Sequence, residues 1–318
     1  MIDNCLQNAK TVAIFGHVRP DGDCVGSTLA VFNYIKDNFP QIDVKVFLEP
    51  FPESYRILRG ANKVLPQYSA SVFGDAGCDV AFLLDAPSFE RVGANGEECI
   101  KSAKFSCNID HHISNPLNLC SECFVVPESS SACEVLFDQM DKDKISVETA
   151  SCLYLGIVHD TGAFKFSCTG KRTMNVVGEL IAKGVDFARI VNETYYTRTY
   201  KQTLVTGYIL QKSELGLDGK VIYSHITSEE MKQFDVTPVD LSNVIDILRE
   251  VSGTEVAFFI YPVGDKYKIS LRSNYLVDVN AIARHFGGGG HVRAAGGDTT
   301  ANPEFTTQRL LLLIEDQL

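Results

Sequence analysis

GHVRPDGD, residues 16–23, follows directly on the apolar run TVAIF, residues 11–15. His17, Asp21 and Asp23 are ligand types for hard metal ions, and Pro20 and Gly22 impose a tight turn among them. A buried strand ending in such a turn delivers its side chains to the carboxyl edge of a parallel sheet, the edge at which open α/β folds carry their chemistry. Three later segments repeat the pattern. CDVAFLLDA carries Asp85, FSCNIDHH carries Asp110, His111 and His112, and SVETASCLYLGIVHDTGAF carries Asp160 where a helix breaks at Thr161-Gly162. One such end alone reads as a helix cap or a surface charge. Four in the first half of the chain argue for a single site.

The donor inventory is imidazole and carboxylate without thiolate. That mixture suits a hard or borderline divalent ion, Mn²⁺ rather than a cysteine-based zinc. The ligands outnumber what one ion needs once waters are counted, so two ions are expected. A pair about 4 Å apart clamps a phosphoryl oxygen and activates water between the ions, which points to hydrolysis of phosphoesters or phosphoanhydrides.

The motifs HVRPDGD, LLDA, IDHH and HDTGAF, followed by SLRS (residues 270–273) and GGGGHVRAAGG (residues 287–297), resemble the DHH phosphoesterase superfamily with its DHH-associated C-terminal domain. Within it they resemble the nano-RNase/pAp phosphatase (NrnA-like) group. The resemblance spans most of the chain. It implies a five-stranded parallel sheet, two Mn²⁺ ions (Co²⁺ or Mg²⁺ in their place also fit) and in-line attack by a metal-bound hydroxide. By this likeness His17, Asp21 and Asp85 would hold one ion, and Asp23, Asp85, His111 and Asp160 the other, with Asp85 bridging. His112 would face the scissile phosphate and protonate the leaving group, and Asp110 would orient an imidazole through a hydrogen bond. Asp85, His112 and Asp110 are thus the expected catalytic residues. His159 departs from the small or hydroxylated residue common before this aspartate in the family and reads as a neutral surface histidine.

The second half brings its own candidates. EVAFFIYPVGDKYKISLRSN reads as a hairpin turning at Gly264-Asp265 and ending in Arg272, Ser273 and Asn274. VNAIARHF reads as a short helix that feeds the glycines 287–290 and His291. Backbone amides without side chains can approach a phosphate closely. The run is no P-loop, since no Gly-Lys-Ser/Thr follows, and no dinucleotide fingerprint, since a helix rather than a strand precedes it. By resemblance, Arg272, Ser273, Gly288, Gly289, Gly290, His291 and the metal-side His112 would bind substrate across an interdomain cleft, with Arg293 a weaker candidate.

At 318 residues, with 45% hydrophobic and 22% charged side chains, the chain has the make-up of a globular protein with room for two domains. No segment approaches the roughly 20 apolar residues of a membrane span. No basic stretch followed by an apolar core marks a secretion signal, so a cytoplasmic location without a membrane partner is expected. All ten cysteines lie between Cys5 and Cys168 in mostly apolar contexts and read as small buried hydrophobes. The net charge of −11 argues against a grip on long duplex nucleic acid, which basic surface usually supplies. Small anions held by local cations fit better: a small nucleotide or a short single-stranded RNA. A homodimer is compatible with the sequence and not required by it.

Strands are predicted over residues 11–18, 44–49, 79–86 and 105–110, alternating with helical stretches, which implies parallel βαβ units. STLAVFNYIKDNF and SSACEVLFDQM have helical spacing, the second with an N-cap near Ser130. The expected organisation is α/β: a DHH domain over 1–185 built on a parallel five-stranded sheet, a helical connector over 186–215, and a smaller mixed α/β domain over 216–318. The expected activity is Mn²⁺-dependent hydrolysis of short oligoribonucleotides, linear dinucleotides such as pApA, or adenosine 3′,5′-bisphosphate. Inorganic pyrophosphatases of family II type and exopolyphosphatases share the ligand plan, and GGGGH favours nucleotides over them. The reading from another class is a non-catalytic nucleotide sensor, against which the filled ligand positions argue.

Overall fold

The structure, a computed structural model, describes residues 1–93 and 95–318, apart from the side chains of Asp75 and Ala76. It divides into two compact units, Met1–Thr197 and Arg198–Leu318. The segment 186–215 holds the helix Phe187–Val191 and a π-turn Asn192–Tyr196 in the first unit, and the helix Tyr200–Gln211 in the second.

The first unit is built on β1 (Thr11–Phe15), β2 (Asp43–Phe47), β3 (Val80–Leu84), β4 (Phe105–Asp110) and β5 (Glu122–Val125), arranged in the order β2-β1-β3-β4-β5 with every pairing parallel. All residues of β1 and β3 are buried, as a sheet covered on both faces requires. Alternation assigns the faces. Val12, Ile14, Phe82 and Leu84 pack with the helices Gly22–Asn38, Ala132–Gln139 and Val147–Asp160, while Ala13, Phe15, Ala81 and Leu83 pack with Tyr68, Phe73 and Ile100. Four strands fall where the alternation of apolar runs places them. The partly buried β5 carries too weak a signal in ECFV to stand out, and only the family likeness implied a fifth strand.

The helix expected to begin at Ser27 begins at Gly22, inside the opening motif. Asp21 is its N-cap, and its carboxylate accepts from the backbone N–H of Asp23 and Cys24 at 3.1 Å each. The helix lies directly against Val147–Asp160 through glycines. A Cβ at Gly26 would stand 2.5 Å from the Cys152 carbonyl, and one at Gly156 would stand 2.3 Å from Cys133 Sγ and 2.5 Å from Asp23 Oδ1. Close approach brings the amino end of one helix beside the carboxyl end of the other.

The second unit holds a mixed sheet, in order β10-β11-β9-β8-β7-β6, of β6 (Glu214–Gly216), β7 (Val221–His225), β8 (Val256–Val263), β9 (Lys266–Ser273), β10 (Gly289–His291) and β11 (Ala294–Thr299). β8 and β9 form the hairpin turning at Gly264-Asp265. The glycine run is neither linker nor open loop: Gly289–His291 pair antiparallel with Ala294–Gly296 in a tight hairpin. A Cβ at Gly288 would lie 2.0 Å from the Gly296 carbonyl, and Gly290 sits at φ +152°, so both need glycine. Among the described residues no helix is long and apolar enough to cross a membrane.

Because its Cβ would press on backbone rather than on a flexible side chain, Gly26→Ala is expected to cost about 1–3 kcal/mol of stability. Urea unfolding of the variant beside the parent measures this, and an unchanged midpoint would show that the helices are not held at this separation.

Candidate metal centre

β2 and β3 flank β1 on opposite sides, so the carboxyl ends of β1 and β3 border the point where the chain reverses its direction of travel through the sheet. Crevices at such points are the natural binding sites of open parallel sheets. His17 to Asp23 leave β1 here, Asp85 leaves β3, and Asp110, His111 and His112 close β4. Asp160 arrives from the last turn of the helix Val147–Asp160.

Three groups of donor atoms each lie within 4.8 Å of one another: His17, Asp21 and Asp85; Asp85, His111 and His112; and Asp23, His111 and Asp160. Asp85 and His111 each belong to two groups. His17 Nδ1 is 2.9 Å from the Val18 carbonyl, which places the proton on Nδ1 and turns Nε2 toward Asp21 at 3.5 Å and Asp85 at 3.4 Å. His111 Nε2 lies 3.1 Å from Asp160, 3.6 Å from Asp85 and 3.9 Å from Asp23. All six residues read from the sequence as ligands are therefore brought together.

Asp85 is buried and sits at φ +54°, a left-handed conformation unusual outside glycine. Its amide donates to the Ile109 carbonyl at 3.0 Å, yet its own Oδ1 has no hydrogen-bond partner. A buried carboxylate oxygen without a donor, aimed into a cluster of imidazoles and further carboxylates, fits a bound cation. Mixed nitrogen and oxygen donors without thiolate match a hard or borderline divalent ion.

Asp110 has a different role. It is fully buried, and its oxygens accept from the amides of His111 and His112 at 2.8 and 3.3 Å, from His112 Nδ1 at 2.7 Å and from Asn115 Nδ2 at 2.7 Å. With its lone pairs occupied, it orients His112. Asp23 is anchored by backbone that the sequence reading missed. Its two oxygens accept from the amides of Ala132 at 2.6 Å and Cys133 at 3.0 Å, the first residues of the helix Ala132–Gln139. Helix amino termini favour anions, but only tertiary structure brings this one, 109 residues away in sequence, to Asp23.

The charges oppose one another strongly. Burial, and then the charges of Asp85 and Asp160, push Asp23 well above the usual carboxylate range. Burial also raises Asp160 to about 6, with Asp21 and Asp85 adding to it against the pull of His111. Burial alone would lower His111 and His17. The carboxylates of Asp160 and Asp85 outweigh it at His111 and raise it to about 12, and those of Asp21 and Asp85 raise His17 to about 11.

His159 is not the surface histidine expected from the sequence. It is partly buried between Tyr55 and Thr194, and burial lowers it to about 4, against the charge of Asp21. In the second unit Arg272 is held by Asp246 at 3.0 Å and by the Leu271 carbonyl at 3.1 Å. Ser273 is buried and its hydroxyl donates to the Val277 carbonyl at 2.6 Å, so it shapes its loop rather than offering a hydroxyl to a ligand. Gly289, Gly290 and His291 are exposed along the hairpin, and the amide of Gly290 donates to Asn280 at 3.0 Å.

Family models for the DHH family N-terminal domain and the DHHA1 domain match residues 11–157 and 218–316. The bifunctional oligoribonuclease and PAP phosphatase NrnA of Mycoplasma pneumoniae is 28% identical, over 92% of this chain and 89% of that one. The protein of the same name from Bacillus subtilis is 26% identical over 90% and 88%. Among solved structures, an exopolyphosphatase-related protein from Bacteroides fragilis superposes with a TM-score of 0.91 at 27% identity, covering 99% of this chain and 95% of that one.

Asp23, Asp160, His17 and His111 all hold protons more tightly than ordinary carboxyls and imidazoles, and a cation must displace those protons. Mn²⁺ affinity is therefore expected to rise with pH between 6 and 8, by up to about tenfold per unit for each proton released. Calorimetric titrations across that range, in buffers of different ionisation enthalpy, read both quantities. A pH-independent affinity without proton release would contradict this balance of charge.

Proposed function

The chain belongs to the DHH family of phosphoesterases, and on that premise we propose that it hydrolyses short oligoribonucleotides, linear dinucleotides such as pApA, or adenosine 3′,5′-bisphosphate, using two divalent ions, Mn²⁺ foremost. The observation that carries the reading is the convergence of three donor groups that share Asp85 and His111 at the reversal point of the sheet. The unpartnered Asp85 oxygen is suited to a bridging ligand. The NrnA relatives named above support the substrate class.

Bound divalent ions supply Lewis acidity toward the phosphoryl oxygens and lower the pKa of water. The chain's own groups do the rest. Asp110 fixes the ring of His112 through Nδ1, and burial, which would lower this imidazole, is outweighed by Asp110 and Asp85, so its pKa is raised. His112 is thereby suited to carry a proton to the departing oxygen from the nitrogen that faces away from Asp110. His17 and His111 turn Nε2 to the carboxylates and hold the ligand set in register. We assign substrate binding to the second unit, with Arg272 pairing a phosphate and His291 completing the anion site. The amides of Gly288 and Gly290 already donate to the Ala283 carbonyl and to Asn280, so these glycines would serve by leaving room for the ligand rather than as donors.

Asp85→Ala is expected to lower turnover at least about a thousandfold, on the scale of losing a principal electrostatic stabiliser, together with bound metal. Arg272→Ala is expected to raise KM about ten- to a hundredfold, the worth of a charged hydrogen bond, with metal content intact. Loss of manganese from Arg272→Ala would overturn the division of labour. Side-by-side turnover of pApA, a short RNA, adenosine 3′,5′-bisphosphate, pyrophosphate and polyphosphate in Mn²⁺ tests the substrate class. Preference for the nucleotides is expected, and preference for pyrophosphate or polyphosphate would overturn it.

A further inference from the structure

His159 stands next to Asp160 but belongs to none of the donor groups. Its side chain lies against Gly22, the residue between Asp21 and Asp23. A Cβ at Gly22 would fall 2.2 Å from His159 Cγ, 2.5 Å from its Cβ and 2.6 Å from its Cδ2. Tyr55 meets the ring edge-on with centroids 5.1 Å apart, and Tyr195 does so at 5.4 Å.

Both ring nitrogens are engaged. Nδ1 is 3.3 Å from the Tyr55 hydroxyl, and Nε2 is 3.3 Å from Thr194 Oγ1. The Thr194 hydroxyl already donates to the Ile190 carbonyl at 2.7 Å, so at His159 it accepts. Nε2 therefore carries the proton, and Nδ1 accepts from Tyr55. The imidazole is a neutral strut with both contacts satisfied, joining the opening turn, the segment carrying Tyr55 and the π-turn Asn192–Tyr196 to the end of the helix that bears Asp160.

We propose that His159 is a positioning residue of the metal centre: seated on Gly22 and held by Tyr55 and Thr194, it fixes the Asp21–Asp23 turn relative to Asp160. The helices alone do not do this. Gly26 sets how closely they approach one turn from the site and Gly156 lies against the Asp23 carboxylate, while the contact that bears on the turn between Asp21 and Asp23 is the imidazole on Gly22. Asp21 and Asp23 belong to different donor groups, and Asp160 shares one with Asp23, so a shift of this turn disturbs both groups together.

The inference rests on the metal-centre reading above, and the experiment separates the two. Mn²⁺ affinity is measured by calorimetry on the metal-free full chain for the parent, His159→Ala, Gly22→Ala, His159→Gly and the double variant Gly22→Ala/His159→Gly, with circular dichroism and melting of the metal-free proteins as controls for folding. His159→Ala is expected to weaken Mn²⁺ binding about ten- to a hundredfold, the usual effect of removing a group that supports ligands. Gly22→Ala is expected to lose at least as much in the parent, but less than about threefold where His159 is already glycine, because the ring and the Cβ that obstruct it are both gone. An affinity for His159→Ala within twofold of the parent, or an equal loss from Gly22→Ala in both backgrounds, would overturn the proposal. Should His159→Ala not fold, Tyr55→Phe decides: it keeps every ring and removes only the donor to Nδ1. A loss of about three- to tenfold, the size of one neutral hydrogen bond, is then expected, and no loss overturns the proposal. A parent that takes up no Mn²⁺ would overturn the metal-centre reading as well, whereas a parent that binds as tightly as His159→Ala overturns this inference alone.

Discussion

Mutual repulsion among Asp21, Asp23, Asp85 and Asp160 is the constraint around which the first unit is built. Carboxylates gathered in and around a buried site cannot all ionise without countercharge, and here the protein supplies only part of it. His17 and His111 lie against the cluster, and the amides of Ala132 and Cys133 hold Asp23 from behind. One oxygen of Asp85 is left with nothing to accept from. A protein that keeps such an oxygen beside the imidazoles of His111 and His112, within a cluster of further carboxylates, is prepared for cations, and the rest of the architecture can be understood as the means of holding the anions together until they arrive.

Two devices do the holding. The parallel sheet brings β1, β3 and β4 to a common edge, so residues distant in sequence leave the sheet side by side. The glycine contact then lets the helix Gly22–Asn38 lie close enough to Val147–Asp160 for the start of one to meet the end of the other. Larger side chains at Gly22, Gly26 or Gly156 would force the two apart. The capping of Gly22–Asn38 by Asp21 serves both needs, since the same carboxylate starts the helix and stands among the donors.

Much of this was legible before the structure. Val80–Leu84 is an uninterrupted apolar run because the strand is covered on both faces, and its termination at Asp85 announces the site. The six expected ligands meet because they stand at or near the ends of elements, most of which have a strong pattern. What stayed hidden depends on partners far away in the chain. Nothing near Asp23 in sequence signals the amides of Ala132 and Cys133, and nothing near His159 signals Tyr55 or Gly22. The early start of the first long helix was obscured because Gly22 and Gly26 lower helix propensity, a cost accepted for the packing they permit. Likewise a run of glycines carries no trace of the hairpin that Gly288 and Gly290 form against Gly296 and Ala294.

The most direct test of the account is an anomalous difference map, collected at the manganese absorption edge, from crystals of the protein loaded with Mn²⁺. Two peaks about 4 Å apart, one on each side of Asp85, are predicted. A single peak, or peaks that leave Asp85 uncoordinated, would contradict the reading of this cluster as a two-ion hydrolytic centre.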